Sequence, residues 1–147
     1  MQIRDIMTQN PASIHPTDTI LRAAQEMKMH NVGALPVFED TKLVGIITDR
    51  DVAVECVATG NQPSDCYVRD YMTADPICIG ADATIDEALT RMGQEQVRRL
   101  CVMDGGEFAG IISLGDLAVR MADSLALAKA LAQISQPVRT PHPLSVS

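Results

Sequence analysis

Aromatic side chains and excess positive charge are both scarce in this chain of 147 residues. Tryptophan is absent and the aromatic content is 3%, while 12 Lys and Arg against 19 Asp and Glu give a formal net charge of −7. Single-stranded nucleic acid is usually held by stacked aromatic rings, and duplex DNA by a basic surface. The composition therefore predicts no nucleic-acid partner, and the acidic charge also disfavours docking on an anionic membrane.

Long apolar runs and closely spaced cysteines are missing as well. No apolar run approaches the roughly 20 residues that cross a bilayer, and the first residues do not form the apolar core of a signal peptide. We therefore expect no membrane partner and a cytoplasmic location. The cysteines show no Cys-x-x-Cys spacing and are Cys56, Cys66, Cys78 and Cys101. This favours free, mostly buried thiols, with a disulfide or metal role for Cys56, Cys66 and a histidine as the open alternative.

The chain repeats itself without a gap, because residues 3–52 match residues 68–117. Arg4 and Asp5 recur as Arg69 and Asp70, 65 residues later, and the Gly-Ile-Ile run at 45–47 recurs at 110–112. An internal repeat predicts that one supersecondary unit occurs twice and packs on its own copy. The cleft between the two copies is then the natural place to look for function.

Each copy combines the pattern of an amphipathic helix with that of a β-hairpin. Apolar residues at helical spacing predict a helix over 19–30 and its equivalent in the second copy, where Thr84 and Glu87 have the spacing of a capping box. Paired apolar runs joined by polar turns predict hairpins, at 34–38 with 43–48 and at 100–103 with 108–113. Further helices are predicted over 51–59 and 116–131.

Turn-forming residues mark the predicted boundaries. The Gly, Asn, Pro and Ser residues of 60–65 indicate a linker, and the prolines after Ser135 indicate a loose tail. An apolar stretch at 124–134 is interpreted as a helix that packs on its own core. The alternatives are that it extends the preceding helix or contacts a partner. We predict repeat 1 over 1–60, a linker over 61–67, repeat 2 over 68–122, and a C-terminal helix extension with a loose tail over 123–147.

Three motifs occur in the same order in both copies and resemble the CBS domain, the tandem module named after cystathionine β-synthase. Arg-Asp-hydrophobic-Met-Thr occurs at 4–8 and 69–73, each followed by a proline. Val-Gly-Ala-Leu-Pro-Val at 32–37 corresponds to Val-Arg-Arg-Leu-Cys-Val at 97–102. Gly-Ile-Ile-Thr-Asp-Arg-Asp at 45–51 corresponds to Gly-Ile-Ile-Ser-Leu-Gly-Asp at 110–116. The second copy departs from the family pattern at Cys101, in place of proline, and at Gly115, in place of a polar residue.

The resemblance is to stand-alone bacterial CBS-pair proteins and covers about residues 1–122. It implies an α/β fold of two β-α-β-β-α repeats related by a pseudo-two-fold axis, with the two sheets packed together. It also implies a homodimer, which agrees with the general prevalence of closed two-fold assemblies.

Thr48 and Asp51 lie where a predicted strand meets a predicted helix. A carboxylate there can accept two hydrogen bonds from a ribose diol, and a threonine hydroxyl with free helix amides can meet a phosphate. The same pair also fits an ordinary helix cap, which residue preferences alone favour. The CBS resemblance makes ribose binding the better interpretation. Ser113 and Asp116 repeat the arrangement in the second copy.

The resemblance further implies that each cleft is interlaced between the two copies. The predicted Asp51 cleft contains Thr48, Arg50, Thr73, Ile77, Val97 and Arg98, with Arg99 nearby. The predicted Asp116 cleft contains Thr8, Ala12, Val32, Gly33 and Ser113. Early-strand backbone is expected to read the adenine edge, with Ile77 or Ala12 against the ring.

The two clefts differ in charge. Arg50 and Arg98 have glycine counterparts, Gly115 and Gly33, and the planar guanidinium suits phosphate oxygens. The Asp51 cleft is therefore predicted to be the stronger nucleotide site. The alternative for Arg98 and its neighbour Arg99 is ordinary pairing with acidic surface groups.

The sequence favours a regulatory binding module over an enzyme. It shows no nucleophile with its base, no P-loop and no dinucleotide fingerprint, and His15, His30 and His142 lack metal-ligand spacing. We expect no catalytic or metal site, no required cofactor, and AMP, ADP or ATP as ligand ahead of S-adenosylmethionine or NADH. Binding would shift the pair between two states and pass the signal to a separate protein partner. The alternative is a ligand-free, stress-related dimeric interaction protein with a thiol or metal role.

Overall fold

Helices and short strands alternate along the chain in this computed structural model, which describes residues 1–121 and 124–137. The α-helices are α1 (Ile20–His30), α2 (Val68–Tyr71), α3 (Ile85–Glu95), α4 (Leu114–Arg120) and α5 (Leu125–Ser135). Asp51–Val57 is a π-helix, and Ile3–Asp5 and Pro63–Asp65 are 3-10 helices. The strands are β1 (Thr8–Gln9), β2 (Ala34–Glu39), β3 (Lys42–Thr48), β4 (Thr73–Ala74), β5 (Cys78–Gly80), β6 (Arg99–Asp104) and β7 (Glu107–Ser113). The predicted α/β class is confirmed.

The chain divides into two compact units that do not coincide with the two sequence repeats. One unit is Pro11–Pro76, and the other combines Met1–Asn10 with the described residues from Ile77 onward. The exchange occurs because β1 of the first repeat pairs with β7 of the second, and β4 of the second repeat pairs with β3 of the first. Each unit therefore completes its sheet with a short strand from the other repeat.

The unit Pro11–Pro76 contains a three-stranded sheet in the order β2-β3-β4. The β2–β3 hairpin is antiparallel, with Leu35 opposite Ile47, and Ile14 adds a single parallel bridge to Val37. Helix α1 begins where the Thr19 hydroxyl accepts a hydrogen bond from the Arg22 amide at 3.1 Å. The buried core shared by these elements consists of Ile14, Ile20, Ala23, Met27, Leu35, Val37, Ile47, Cys56 and Val68.

The other unit contains a four-stranded sheet in the order β1-β7-β6-β5. Strand β5 runs parallel to β6, while β6–β7 is an antiparallel hairpin equivalent to β2–β3. The core takes Ile3 from the start of the chain, which is 0% exposed, and Leu127, Ala130 and Ile134 from α5. The predicted packing of the apolar stretch 124–134 on its own core is therefore confirmed.

The local sequence patterns predicted α1, α3 and the strands of the two hairpins within one or two residues. Helix α1 and both hairpins are confirmed, and so is the capping box of α3. There the Thr84 hydroxyl accepts from the Glu87 amide at 3.1 Å, and the Glu87 carboxylate accepts from the Thr84 amide at 3.0 Å. Within the described ranges, no helix has both the length and the apolar character that crossing a membrane requires.

Two helix predictions need correction. The helix predicted over 51–59 is a π-helix that ends at Val57, with the Ala58 amide bonded five residues back to the Ala53 carbonyl at 2.9 Å. The continuous helix predicted over 116–131 is wrong, because α4 ends at Arg120. A new helix starts where the Ser124 hydroxyl accepts from the Leu127 amide at 3.3 Å. Of the loose tail predicted after Ser135, residues 138–147 lie outside the described residues.

Candidate functional site

The junction between β3 and the π-helix holds Thr48 and Asp51 in a reciprocal cap. The Thr48 amide donates to Oδ2 of Asp51 at 2.9 Å, and the Asp51 amide donates to Oγ1 of Thr48 at 3.2 Å. The capping interpretation therefore describes the local hydrogen bonds. Among the described residues, Thr48 is the sole hydrogen-bond partner of the Asp51 carboxylate. A carboxylate offers about four acceptor positions, so this group retains capacity for further donors.

The Asp51 carboxylate lies in surroundings that make its charge unfavourable. Partial burial raises the pKa of Asp51 above its ordinary 3.8, and the nearby carboxylates of Glu55 and Asp49 raise it further. The hydrogen bonds from Thr48 act in the opposite direction. A half-buried acid among other acids gains when a ligand brings hydrogen-bond donors to its charged form. Perturbed acids in such positions are candidates for functional sites.

The junction between β7 and α4 repeats the same cap with Ser113 and Asp116. The Ser113 amide donates to Oδ2 of Asp116 and the Asp116 amide donates to Oγ of Ser113, both at 3.1 Å. Both acids are half-buried. The two junctions thus share their hydrogen-bond geometry and differ in the helix that follows, which is a π-helix after Thr48 and an α-helix after Ser113.

The short strands β4 and β1 bring a threonine from the other repeat next to each junction. Thr73 pairs with Ile46, which lies two residues before Thr48. Thr8 pairs with Ile111, which lies two residues before Ser113. Both threonines are exposed. The predicted Thr48, Asp51 and Thr73 therefore lie in one unit, and Ser113, Asp116 and Thr8 lie in the other.

Two glycines that we had not assigned to the site make these strand approaches possible. A Cβ atom on Gly45 would lie 2.8 Å from the Thr73 carbonyl oxygen. A Cβ on Gly110 would collide with the Thr8 carbonyl oxygen in the same way. Only a residue without a side chain lets the neighbouring backbone come this close. The sequence contained a signal for this role, because the glycine of the Gly-Ile-Ile motif occurs in both copies.

Backbone hydrogen bonds fix the position of residues 33 and 98 at the same sheet edges. The Gly33 carbonyl accepts from the Asp49 amide at 2.9 Å, and the Arg98 carbonyl accepts from the Leu114 amide at 2.7 Å. The Arg98 backbone therefore lies at the Asp116 junction of its own unit. The predicted contact of Arg98 with the Asp51 cleft would have to be made by the Arg98 side chain. This contact stays a prediction.

The remaining predicted site residues lie on both units. In Pro11–Pro76, Arg50 and Val32 are exposed and Ala12 is half-buried; in the other unit, Ile77, Val97 and Arg99 are half-buried and the Arg98 side chain is exposed. None of the ion pairs found among residues 1–121 and 124–137 includes an arginine of the predicted clefts. The joining of these two groups into shared clefts stays a prediction.

Comparison with known proteins identifies the family. The CBS domain family model matches residues 3–57 and 68–123. The CBS domain-containing protein YhcV of Bacillus subtilis is 38% identical over 133 residues, which are 90% of this chain and 94% of that protein.

Two solved structures extend the comparison to the fold. The crystal structure of Hypoxic Response Protein I with two coordinated zinc ions superposes with a TM-score of 0.72 at 32% identity, covering 81% of this chain and 98% of that one. The CBS domain pair of protein MJ0100, in complex with 5′-methylthioadenosine and S-adenosyl-L-methionine, gives a TM-score of 0.74 at 27% identity, covering 83% and 96%. Together with the repeated fold, these matches show that the chain belongs to the CBS-domain family, as a CBS pair of the regulatory kind.

Proposed function

We propose that this CBS pair binds an adenosine-containing ligand at the junction of β3 and the π-helix, where Asp51 accepts hydrogen bonds from the ribose hydroxyls. The observation that carries the proposal is the half-buried Asp51 carboxylate, whose pKa is raised by burial and which Thr48 alone satisfies among the described residues. Hydrogen bonds from a diol would stabilise its charged form. The crystallised MJ0100 pair, with its two adenosine compounds, supports this ligand class.

The phosphate groups of AMP, ADP or ATP would be met by Arg50, which directly precedes Asp51 and is exposed. Gly115 holds the equivalent position before Asp116 and brings no charge. We therefore propose that the Asp51 site is the stronger of two sites. Arg98 is proposed as a second phosphate contact for the Asp51 site, together with Ile77 and Val97 on the nucleoside side.

The role we propose is regulatory, without catalysis and without a required cofactor. A ligand that binds one conformation of the pair more tightly shifts the population toward it. The protein would act in the cytoplasm as a homodimer, and it would transmit the change to a separate protein partner.

Calorimetric titration with AMP, ATP, S-adenosylmethionine and NADH tests the proposal on the wild type and on Asp51→Asn. Asparagine keeps the side-chain size and an oxygen that can accept from the Thr48 amide, but it removes the charge and one acceptor. A hydrogen bond to a charged group contributes about 1.5–3 kcal/mol, so we expect affinity to fall about tenfold to a hundredfold. Asp116→Asn, which has the same cap geometry, is the matched control and should reduce affinity less.

The variants also separate the individual contacts. Arg50→Ala should weaken ATP but leave adenosine unchanged, because adenosine carries no phosphate. If Asp116→Asn abolishes binding and Asp51→Asn does not, the order of the two sites is wrong. If no compound produces heat or raises the melting temperature of the wild type, the ligand-free dimeric interaction protein becomes the better interpretation.

A further inference from the structure

Two of the free cysteines lie side by side in the unit Pro11–Pro76, close to the π-helix. Cys56 lies in the last turn of that helix and is fully buried, while Cys66 follows the 3-10 helix Pro63–Asp65 and is half-buried. Cys66 packs against the core cluster that contains Cys56, and burial, followed by the neighbouring Cys66 thiol, raises the pKa of Cys56. The Tyr71 hydroxyl donates to Sγ of Cys66 at 3.6 Å and so helps to fix the position of that sulfur.

We propose that Cys56 and Cys66 form a modification site, at which a low-molecular-weight disulfide such as oxidised glutathione converts the two thiols into an intramolecular disulfide. The inference rests on the placement of the two side chains and is independent of the proposed ligand.

The backbone holds Cys66 in place, while the segment that connects Cys56 to Cys66 is exposed. The Cys66 carbonyl accepts from the Ile20 amide at 2.8 Å, which ties Cys66 to the start of α1. The connecting residues 58–62 are exposed, and Gly60 has a φ of +85° with open space around it. A disulfide requires the two Cα atoms to lie about 4.4–6.8 Å apart. An exposed connection can absorb small adjustments toward that geometry without disturbing the core.

The chemistry proceeds by two thiol–disulfide exchanges. Cys66 is the entry point because it is the more exposed thiol of the two. Its thiolate attacks one sulfur of the oxidant, forming a mixed disulfide and releasing one thiolate. Cys56 then loses its proton and attacks Sγ of Cys66, forming the protein disulfide and releasing the second thiolate. The released thiolates take up the two protons, so two protein thiols are oxidised and one small disulfide is reduced to two thiols.

A second pair of cysteines in the other unit provides an internal comparison. Cys78 and Cys101 are partners in register on the parallel strands β5 and β6, and the Cys101 amide is bonded to the Ile77 carbonyl at 3.0 Å. Burial is the main cause that raises the pKa of Cys101 to about 12, and Cys101 is 1% exposed. Since the thiolate is the reactive form and burial raises the pKa of both Cys78 and Cys101, this pair should react more slowly than Cys56 with Cys66, where burial raises the pKa of the second thiol, Cys56.

The test treats the native wild-type protein with oxidised glutathione and follows it by intact mass, thiol titration and peptide mapping. We expect the loss of two of the four thiols and a mass lower by two hydrogen atoms. We also expect one cross-linked peptide pair containing Cys56 and Cys66, with full reversal by a reductant. The double variant Cys78→Ser, Cys101→Ser should behave in the same way. A stable glutathione adduct without the cross-link, or a cross-link mapped to Cys78 and Cys101 or between two chains, would overturn the proposal.

Single variants of the pair distinguish the two exchange steps. Cys56→Ala should trap the glutathione adduct on Cys66, whereas Cys66→Ser should leave the protein without the rapid reaction. Because Cys56 is buried, the thermal unfolding of Cys56→Ala is checked first, and the half-buried Cys66→Ser keeps the test decisive if that variant is unstable. Rapid loss of two thiols in Cys66→Ser would contradict the assignment.

Discussion

Replacing Gly45 by alanine tests the close strand approach that places Thr73 beside the candidate site. A Cβ atom there would lie 2.7 Å from Sδ of Met72 and 2.8 Å from the Thr73 carbonyl oxygen, whereas ordinary van der Waals contact begins at 3.4 Å. The Met72 side chain can rotate away. The carbonyl belongs to the backbone, so β4 has to move by the difference between 3.4 and 2.8 Å, about 0.6 Å.

The expected cost follows from this overpacking. Inserting a methyl group into a well-packed position typically costs about 1–3 kcal/mol. For a chain of this size, each kcal/mol lowers Tm by about 2–4 °C, so a cost of about 2 kcal/mol lowers Tm by about 4–8 °C. The displacement of β4 also shifts Thr73 from its place opposite Ile46, which should weaken the binding of an adenosine compound at the Asp51 site. Thermal unfolding followed by circular dichroism and calorimetric titration measure the two effects.

The chain offers matched controls for this substitution. Gly110→Ala should destabilise in the same way, because its Cβ meets the Thr8 carbonyl, while the Asp51 site should be affected less. A Cβ on Gly115 in α4 would meet only Oγ of Ser113 at 3.7 Å, and alanine is favoured over glycine inside a helix by about 0.5–1 kcal/mol. Gly115→Ala should therefore keep or raise Tm. A Gly45→Ala protein with unchanged Tm and affinity would refute the reasoning.

Two further predictions concern the first residues of the chain, Met1–Asn10, which pack in the unit of the second repeat, and the Asp51 carboxylate. Ile3→Ala should lower the free energy of unfolding by about 2–5 kcal/mol, because Ile3 is 0% exposed in the core of the unit that contains α3 and α5; a change below about 0.5 kcal/mol in urea unfolding would place the first residues outside that core. Burial raises the pKa of Asp51 in the folded protein, so its stability contribution is fully present below pH 3.8 and is lost as pH rises through the folded pKa. Urea midpoints of wild type and Asp51→Asn should show the wild type losing relative stability as pH rises from 3.8, and a relative gain would contradict this.

Local patterns in the sequence predicted the elements that depend on neighbouring residues. The spacing of Ile20, Ala23 and Met27 is sufficient for α1, because a helix needs only one apolar face and a cap. The Thr84 capping box is equally local, since both partners lie within one turn. The hairpins followed from paired apolar runs around polar turns.

The features that the sequence left undetermined depend on long-range contacts or on fine differences in helix geometry. Strands β1 and β4 have two residues each, too short for a periodic signal. The pairing of Thr8 with Ile111 joins distant parts of the chain, and its only earlier indication was the interlaced arrangement that the CBS resemblance implies. The sequence left a disulfide or metal role for Cys56 and Cys66 open as an alternative, but their spacing could not establish that they are neighbours, because the π-helix and the turn after it bring them together. Repeat 1 has a π-helix where repeat 2 has α4. The capping residues do not predict this difference.

The duplicated architecture also limits which residues can distinguish the two candidate sites. The cap made by Thr48 with Asp51 has the same geometry as the cap made by Ser113 with Asp116, and each is approached by a threonine over a glycine. These shared parts are needed to start a helix and to close a sheet, so they cannot favour one site by themselves. Arg50 is exposed and belongs to no ion pair found among the described residues. A residue that the fold does not depend on can change without loss of the fold. Differences in ligand preference between the two sites should therefore arise at positions of this kind.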